Sequence, residues 1–166
     1  MLSKLINKPF QCISRAVDML CLFVGEDYDF TAADGKTVKV TEFSLHVQSQ
    51  WRFRKDDTIL LASGDIYEPY SQAAPADWEY DRVGRPDSES SLFDVVAKGF
   101  SMKMQDAIVS ECRLSETNDI TIRFSNGVVF EQFAPDSRKR EQWRLIDYKN
   151  NLHTICYDEN GMITCT

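Results

Sequence analysis

The stretch ITIRFSNGVVFEQF, residues 120–133, decides how this chain folds. Ile120, Ile122 and Phe124 alternate with Thr121 and Arg123, the period-2 pattern of a strand with one buried face. Val128–Phe133 is a second β-rich run, and Asn126-Gly127 between them tolerates the positive φ of a tight hairpin. Charge selects the register. A two-residue turn pairs Ile122 with Glu131 and sets a carboxylate on the apolar face. A three-residue turn, with Gly127 left-handed as a bulge, pairs Ile122 with Phe130 and Phe124 with Val128. A slip of one residue exchanges the two faces of a strand, and an unpaired buried carboxylate is costly. The bulged register is therefore expected. It leaves Glu131 outward on the face of Arg123, where a cross-strand ion pair is expected.

The same reading extends outward. Ala107–Leu114 precedes this hairpin, and Trp143–Tyr148, Leu152–Tyr157 and Met162–Cys165 follow it as strands. Asn118-Asp119, Asn150-Asn151 and Asn160-Gly161 separate them, and all are turn formers. An antiparallel meander is expected from Asp106 onward. Upstream, Glu42–Phe53 reads as one strand, with Leu45, Val47, Ser49, Trp51 and Phe53 on the core face. Ile59–Ala62, after the charged turn Arg54–Thr58, pairs with it. Met19–Val24 reads as a buried strand ending at Gly25, and Asp34-Gly35 as a hairpin turn; Leu5–Phe23 settles into neither period. Ser91–Met104 is expected to be helical, capped by Ser90 or Ser91, with Leu92, Val95, Val96, Gly99 and Phe100 as its apolar stripe.

The fold class this predicts is α+β, a mostly antiparallel twisted sheet with a C-terminal meander and one main helix near 91–104. The 166 residues fit a single domain, 1–166. Its longest apolar run, Met19–Val24, is too short to cross a bilayer, and no signal peptide is read at the N-terminus. The five cysteines are odd in number and form no CxxC, so free thiols in a reducing cytoplasm are expected.

Charge is unevenly spread. The chain's net charge is −7, and Asp65–Asp94 carries eight acids against two bases, Arg82 and Arg85. Most of that span is a long loop, 65–90, with Pro69, Pro75, Pro86, Gly84, Asp87 and Ser88 as breakers. It also carries Tyr67, Tyr70, Trp78 and Tyr80, more aromatic content than a disordered segment holds, so a partly ordered, draped loop is expected. An acidic, aromatic loop attracts basic protein surfaces and repels phosphate. Glu68, Tyr70, Asp77, Trp78, Glu79, Tyr80 and Asp81 are the candidate partner-binding residues. The only basic cluster, Arg138-Lys139-Arg140, expected as one exposed helical turn, is too small to outweigh a pI near 4.8, and nucleic acid is not expected as a partner.

Catalytic signals are sparse. There is no GxSxG, P-loop, GxGxxG or calcium-loop spacing, and two histidines do not build a zinc motif. No cofactor, metal or catalytic residue is expected. The rival is a hydrolase-like enzyme using His46 or His153 with Asp65. A third reading is a homo-oligomeric scaffold using Gln48, Gln50 and Arg52. The tripeptide Gln-Trp-Arg recurs at 50–52 and 142–144 and reads as two core tryptophans with solvated neighbours.

Leu45-His46-Val47-Gln48, Trp51-Arg52, Gly64-Asp65, Ser91-Leu92-Phe93-Asp94, Glu141, Trp143-Arg144-Leu145 and His153 together resemble a pattern of small bacterial proteins of the toxin-immunity type, including those of contact-dependent growth inhibition. The resemblance implies a protein that neutralises a protein toxin; the acidic loop makes a basic, nuclease-like toxin the expected partner, and a cytoplasmic, non-enzymatic monomer or homodimer without membrane or cofactor is expected. The resemblance carries over no functional residue.

Overall fold

A computed structural model describes residues 2–31, 34–81, 86, 89–137, 140–157 and 163–165. The strands are antiparallel, as expected, but they divide between two sheets rather than forming one. β1 (Phe10–Ala16), β2 (Met19–Thr31) and β3 (Thr37–Val47) begin the first sheet. β4 (Gln50–Lys55) and β5 (Thr58–Ala62) begin the second. After α1 (Leu92–Lys103), β6 (Val109–Leu114), β7 (Ile120–Phe124) and β8 (Val128–Phe133) complete the second sheet. β9 (Glu141–Asp147), β10 (Leu152–Tyr157) and β11 (Ile163–Cys165) return to the first. The orders are β1-β2-β3-β9-β10-β11 and β5-β4-β8-β7-β6.

The hairpin that opened the sequence reading has the bulged register. Ile122 pairs with Phe130 and Arg123 with Val129, and Gly127 sits at φ +86° with its N–H donating to the Phe124 carbonyl at 3.0 Å. Ile120, Ile122, Phe124 and Phe130 are all buried. The expected partner of Glu131 is corrected. Its carboxylate accepts from Arg52 at 2.6 Å and Arg54 at 2.9 Å on β4, while Arg123 pairs with Glu111. β8 lies between β4 and β7, so Glu131 has cross-strand neighbours on both sides, and two arginines outbid one.

The expected strand Glu42–Phe53 is two strands. Its alternation survives, with Leu45, Val47, Ser49, Trp51 and Phe53 all buried. The chain nevertheless turns from the first sheet into the second at Gln48–Ser49. Ser49 Oγ donates to the Gln142 carbonyl at 3.1 Å and accepts from Gln132 Nε2 at 2.7 Å, and the Gln48 N–H donates to Gln142 O at 3.0 Å. β8 belongs to the second sheet and β9 to the first, so the expected meander is also split. The sheets meet again elsewhere: Phe10 N–H donates to Ala107 O and Val109 N–H to Lys8 O, with Pro9 bridging Ile108.

The N-terminal segment resolves into the hairpin β1–β2. Met19–Val24 does not end at Gly25. The ladder steps from Val24–Phe43 to Asp27–Thr41 over a bulge, and β2 continues to Thr31. Gly25 is at φ +105°, and a Cβ there would come within 2.8 Å of Glu42 Cβ, so only glycine fits the bulge. Asp34-Gly35 lies in the turn that joins β2 to β3, as expected. The expected turn at Asn160-Gly161 lies outside the described residues.

α1 begins where expected, with Ser91 Oγ accepting the Asp94 N–H at 3.2 Å. Its core face is corrected in part, since Phe100 is buried as expected and Val96 packs against the core cluster. Phe93, Ala97, Phe100 and Met104 are the buried residues, at spacings of four, three and four. Leu92, Val95, Val96 and Gly99 are only half-buried. Phe100 joins both sheets: its ring centroid is 6.2 Å from that of Phe10 in β1 and 4.7 Å from that of Phe53 in β4. Trp51 and Phe93 add an edge contact at 5.9 Å. The two sheets and the helix thus share one apolar cluster. Among the described residues, no helix is long and apolar enough to cross a membrane.

Candidate partner-binding surface

The acidic segment is held by its own hydrogen bonds. It leaves β5 through a 3-10 turn, Ser63–Ile66, in which Ile66 is buried and Asp65 Oδ2 accepts the Ala62 N–H at 2.8 Å. Asp65 is therefore a local cap. At the other end Leu92 N–H donates to Glu68 O and Tyr70 N–H to Ser90 O, closing the loop beside the helix start. Turns at Ser71–Ala74 and Pro75–Trp78 carry the chain between. Trp78 donates its indole N–H to the Glu89 carbonyl at 2.7 Å. Of the partly ordered, draped loop expected from the sequence, Arg82, Gly84, Arg85, Asp87 and Ser88 lie outside the described residues.

Side chains alternate along Asp77–Asp81. Asp77, Glu79 and Asp81 are exposed, while Trp78 and Tyr80 are half-buried. Tyr80 packs against the core cluster, and its ring lies 4.8 Å from that of Tyr67. The Tyr67 hydroxyl donates to Asp18 Oδ2 at 3.3 Å, and burial followed by Asp18 pushes its phenol pKa upward. Asp77 and Glu79 also make interactions within the fold.

Arg15, in β1, anchors this end of the loop. Its guanidinium donates to both carboxylate oxygens of Asp94, at 2.7 and 2.6 Å, and to the carbonyl of Tyr80 at 2.8 Å. The bidentate bond to Arg15 holds the Asp94 carboxyl below its usual range, and the guanidinium is raised by the same contact. Asp94 thus does not contribute free negative charge to the surface. Among the described residues of the segment, Glu68, Asp77, Glu79 and Asp81 are the exposed acids, with Asp18 brought alongside by the β1–β2 turn.

The candidate residues do not form one patch. Tyr80 and Asp81 lie on the Arg15 flank of α1, and Asp81 acts electrostatically on that arginine. Tyr70, 52% exposed, lies instead on the opposite flank, against Val95, Val96 and Gly99. Asp18 and Arg15 were missing from the sequence-based set. Their contacts to the loop, Asp18 with Tyr67 and Arg15 with the Tyr80 carbonyl, span 49 and 65 positions of chain, and no local pattern announces such contacts.

The other candidate sites separate. His46 and His153 occupy the same face of the first sheet, opposite Arg144 and Ile146 of β9. Burial, then Arg144, lowers the pKa of His46. Asp65 sits at the end of β5 in the other sheet, engaged by Ala62. Gln48 reaches Glu141, Gln50 accepts from Ser63 Oγ at 2.7 Å, and Arg52 bonds Glu131. The expected polar sheet face is thus divided at the corner between sheets and spent on internal partners. Both Gln-Trp-Arg tryptophans are core residues, and Trp143 donates to Asn118 O at 2.9 Å. Of the basic cluster, Arg138 and Lys139 lie outside the described residues; Arg140 bonds Asp136.

With this geometry in hand, comparison offers no precedent: the chain matches no family model, no curated protein and no solved structure.

Proposed function

We propose that this protein is a binding protein of the immunity type, which neutralises a basic, nuclease-like protein toxin by covering its active surface. One observation carries the reading. Asp77, Glu79 and Asp81 are exposed on a segment whose alternate residues are held, Trp78 by the Glu89 carbonyl within the loop and Tyr80 against the core cluster. Exposed charge on a pre-ordered loop steers association and loses little entropy on docking. Glu68 and Asp18 extend the same sign of charge. Tyr70 supplies an exposed aromatic at the loop's other flank.

Reversing the three acids, Asp77→Lys, Glu79→Lys and Asp81→Lys, tests the reading. The protein is co-expressed with the toxin candidate encoded by the neighbouring upstream gene, and association is measured from 50 to 500 mM salt. The reversal is expected to abolish protection and to remove the salt dependence of binding. A harmless neighbour, or protection and salt dependence left unchanged, rejects the proposal.

A further inference from the structure

A second site lies on the far flank of α1. Between the helix, the β4–β5 hairpin and the β7–β8 turn is a cavity of about 530 Å³. That volume falls within the roughly 300–1,000 Å³ span of small-molecule sites. Its walls are Leu60, Val95, Val96, Phe100, Met104 and Val128. Leu60 is 37% exposed, and Val95 and Val96 are half-buried. Val95, Val96 and Gly99 belong to the helix stripe whose spacing looked like core. Phe93, Ala97, Phe100 and Met104 fill the core, with Val96 packed at its edge, so Val95, Gly99 and the outer part of Val96 line a second strip open to solvent. A concave apolar strip open to water is a binding feature more often than a packing one.

The rim has a definite charge. Lys55 and Lys103 line it, with the Tyr70 ring and Asn126 beside them. Neither lysine makes an ion pair among the described residues, although acids outnumber bases by seven in the chain. Lys103 has a second duty, since it offsets the negative end of the α1 dipole. Lys55 has no such duty, and its stem lies along the Gly127 turn. Asn126 is already occupied, accepting from Val128 N–H and contacting Met104 Sδ.

We infer that this cavity binds a single-chain amphiphile with a carboxylate head: the alkyl chain against Val95, Val96, Leu60 and Phe100, the head at Lys55 and Lys103. The inference does not rest on the acids of the loop, although Tyr70 of that loop stands at the rim. Gly99 provides the control. It opens on the cavity, and a Cβ added there meets nothing within 4 Å, so a larger side chain enters the cavity without a clash at its root. Replacing a helical glycine also favours the helix, so the variant folds.

The probe is dodecanoate, followed by calorimetry and by displacement of a dansyl-labelled undecanoic acid. Saturable one-to-one binding is expected. Gly99→Leu is expected to abolish it with the melting temperature unchanged or raised. Lys55→Glu is expected to weaken it about tenfold, and more when combined with Lys103→Glu. Dodecanol, with the same chain and no charge, is expected to bind at least tenfold more weakly than dodecanoate. The Asp77, Glu79, Asp81 reversal is expected to leave dodecanoate affinity unchanged, which separates this site from the loop. Absence of binding at millimolar dodecanoate overturns the inference, as does affinity unmoved by Gly99→Leu or by Lys55→Glu. Binding of an apolar peptide at this cavity in place of dodecanoate likewise overturns it.

Discussion

Arg15 ties three parts of the chain together: Asp94 at the helix start, the Tyr80 carbonyl in the acidic loop and the Val17 carbonyl in the β1–β2 turn. The Asp94 carboxyl is held low, so its contribution is present above the unfolded pKa and is lost as pH falls through the lower folded value. Asp94 is partly exposed, which screens the pair. Asp94→Asn is expected to cost about 1 kcal/mol at pH 7, and that difference is expected to vanish at low pH, where the wild-type carboxyl is also neutral. Urea unfolding of both proteins across pH 2–7 checks it; a difference that persists below the folded pKa contradicts the assignment. A cysteine gives a second test at this scale. Burial, with Glu111 adding to it, pushes the Cys112 thiol up to about 12. Thiolate is the reactive form, so Cys112 is expected to resist iodoacetamide at pH 8 in the folded protein and to react fully in urea, as read by peptide mass mapping. Rapid native labelling of Cys112 contradicts this. The Arg15–Asp94 pair was not legible from the chain, because the two residues are 79 positions apart and act on each other only through the fold.

At the scale of elements, the hairpin β7–β8 and the helix cap follow from local rules. The Asn-Gly turn, the penalty on burying Glu131 and the Ser91 hydroxyl each act within a few residues. The α1 core face did not follow, because two overlapping stripes fit the helical period and only the position of the sheets chooses between them. The one with Phe93 and Phe100 wins because those rings reach Trp51, Phe53 and Phe10. The acidic loop is likewise set by a contact, the Trp78 indole on the Glu89 carbonyl. Trp78→Phe keeps the ring and loses this bond. It is expected to cost about 1 kcal/mol and to speed amide exchange across residues 70–80, with α1 unaffected. Unchanged exchange in that span means the indole does not order the loop.

At the scale of the molecule, the two sheets share one apolar cluster and one buried polar crossing, so they are expected to unfold together. At that crossing Gln132 donates to Ser49 and its side-chain carbonyl accepts the Ile120 N–H at 3.1 Å, while Ser49 donates to Gln142 O. Gln132→Leu strands a buried Ser49 hydroxyl lone pair and the Ile120 donor, at a cost of about 2–3 kcal/mol. Calorimetry is expected to show a single transition in both proteins, with equal calorimetric and van't Hoff enthalpies, the variant melting lower. Two resolved transitions mean the sheets unfold separately. By itself the sequence determined the β7–β8 hairpin and its register, the β4–β5 pairing, the start of the helix and the alternation of Leu45, Val47, Ser49, Trp51 and Phe53, because periodicity, caps and turn conformations are forces among near neighbours. Only the tertiary structure decided which sheet each strand joins, where the chain crosses between them, which stripe of α1 faces inward and which acids stay exposed. Those choices rest on contacts such as His46 with Arg144, Glu131 with Arg52 and Arg15 with Asp94, where residues far apart along the chain compete for the same neighbour.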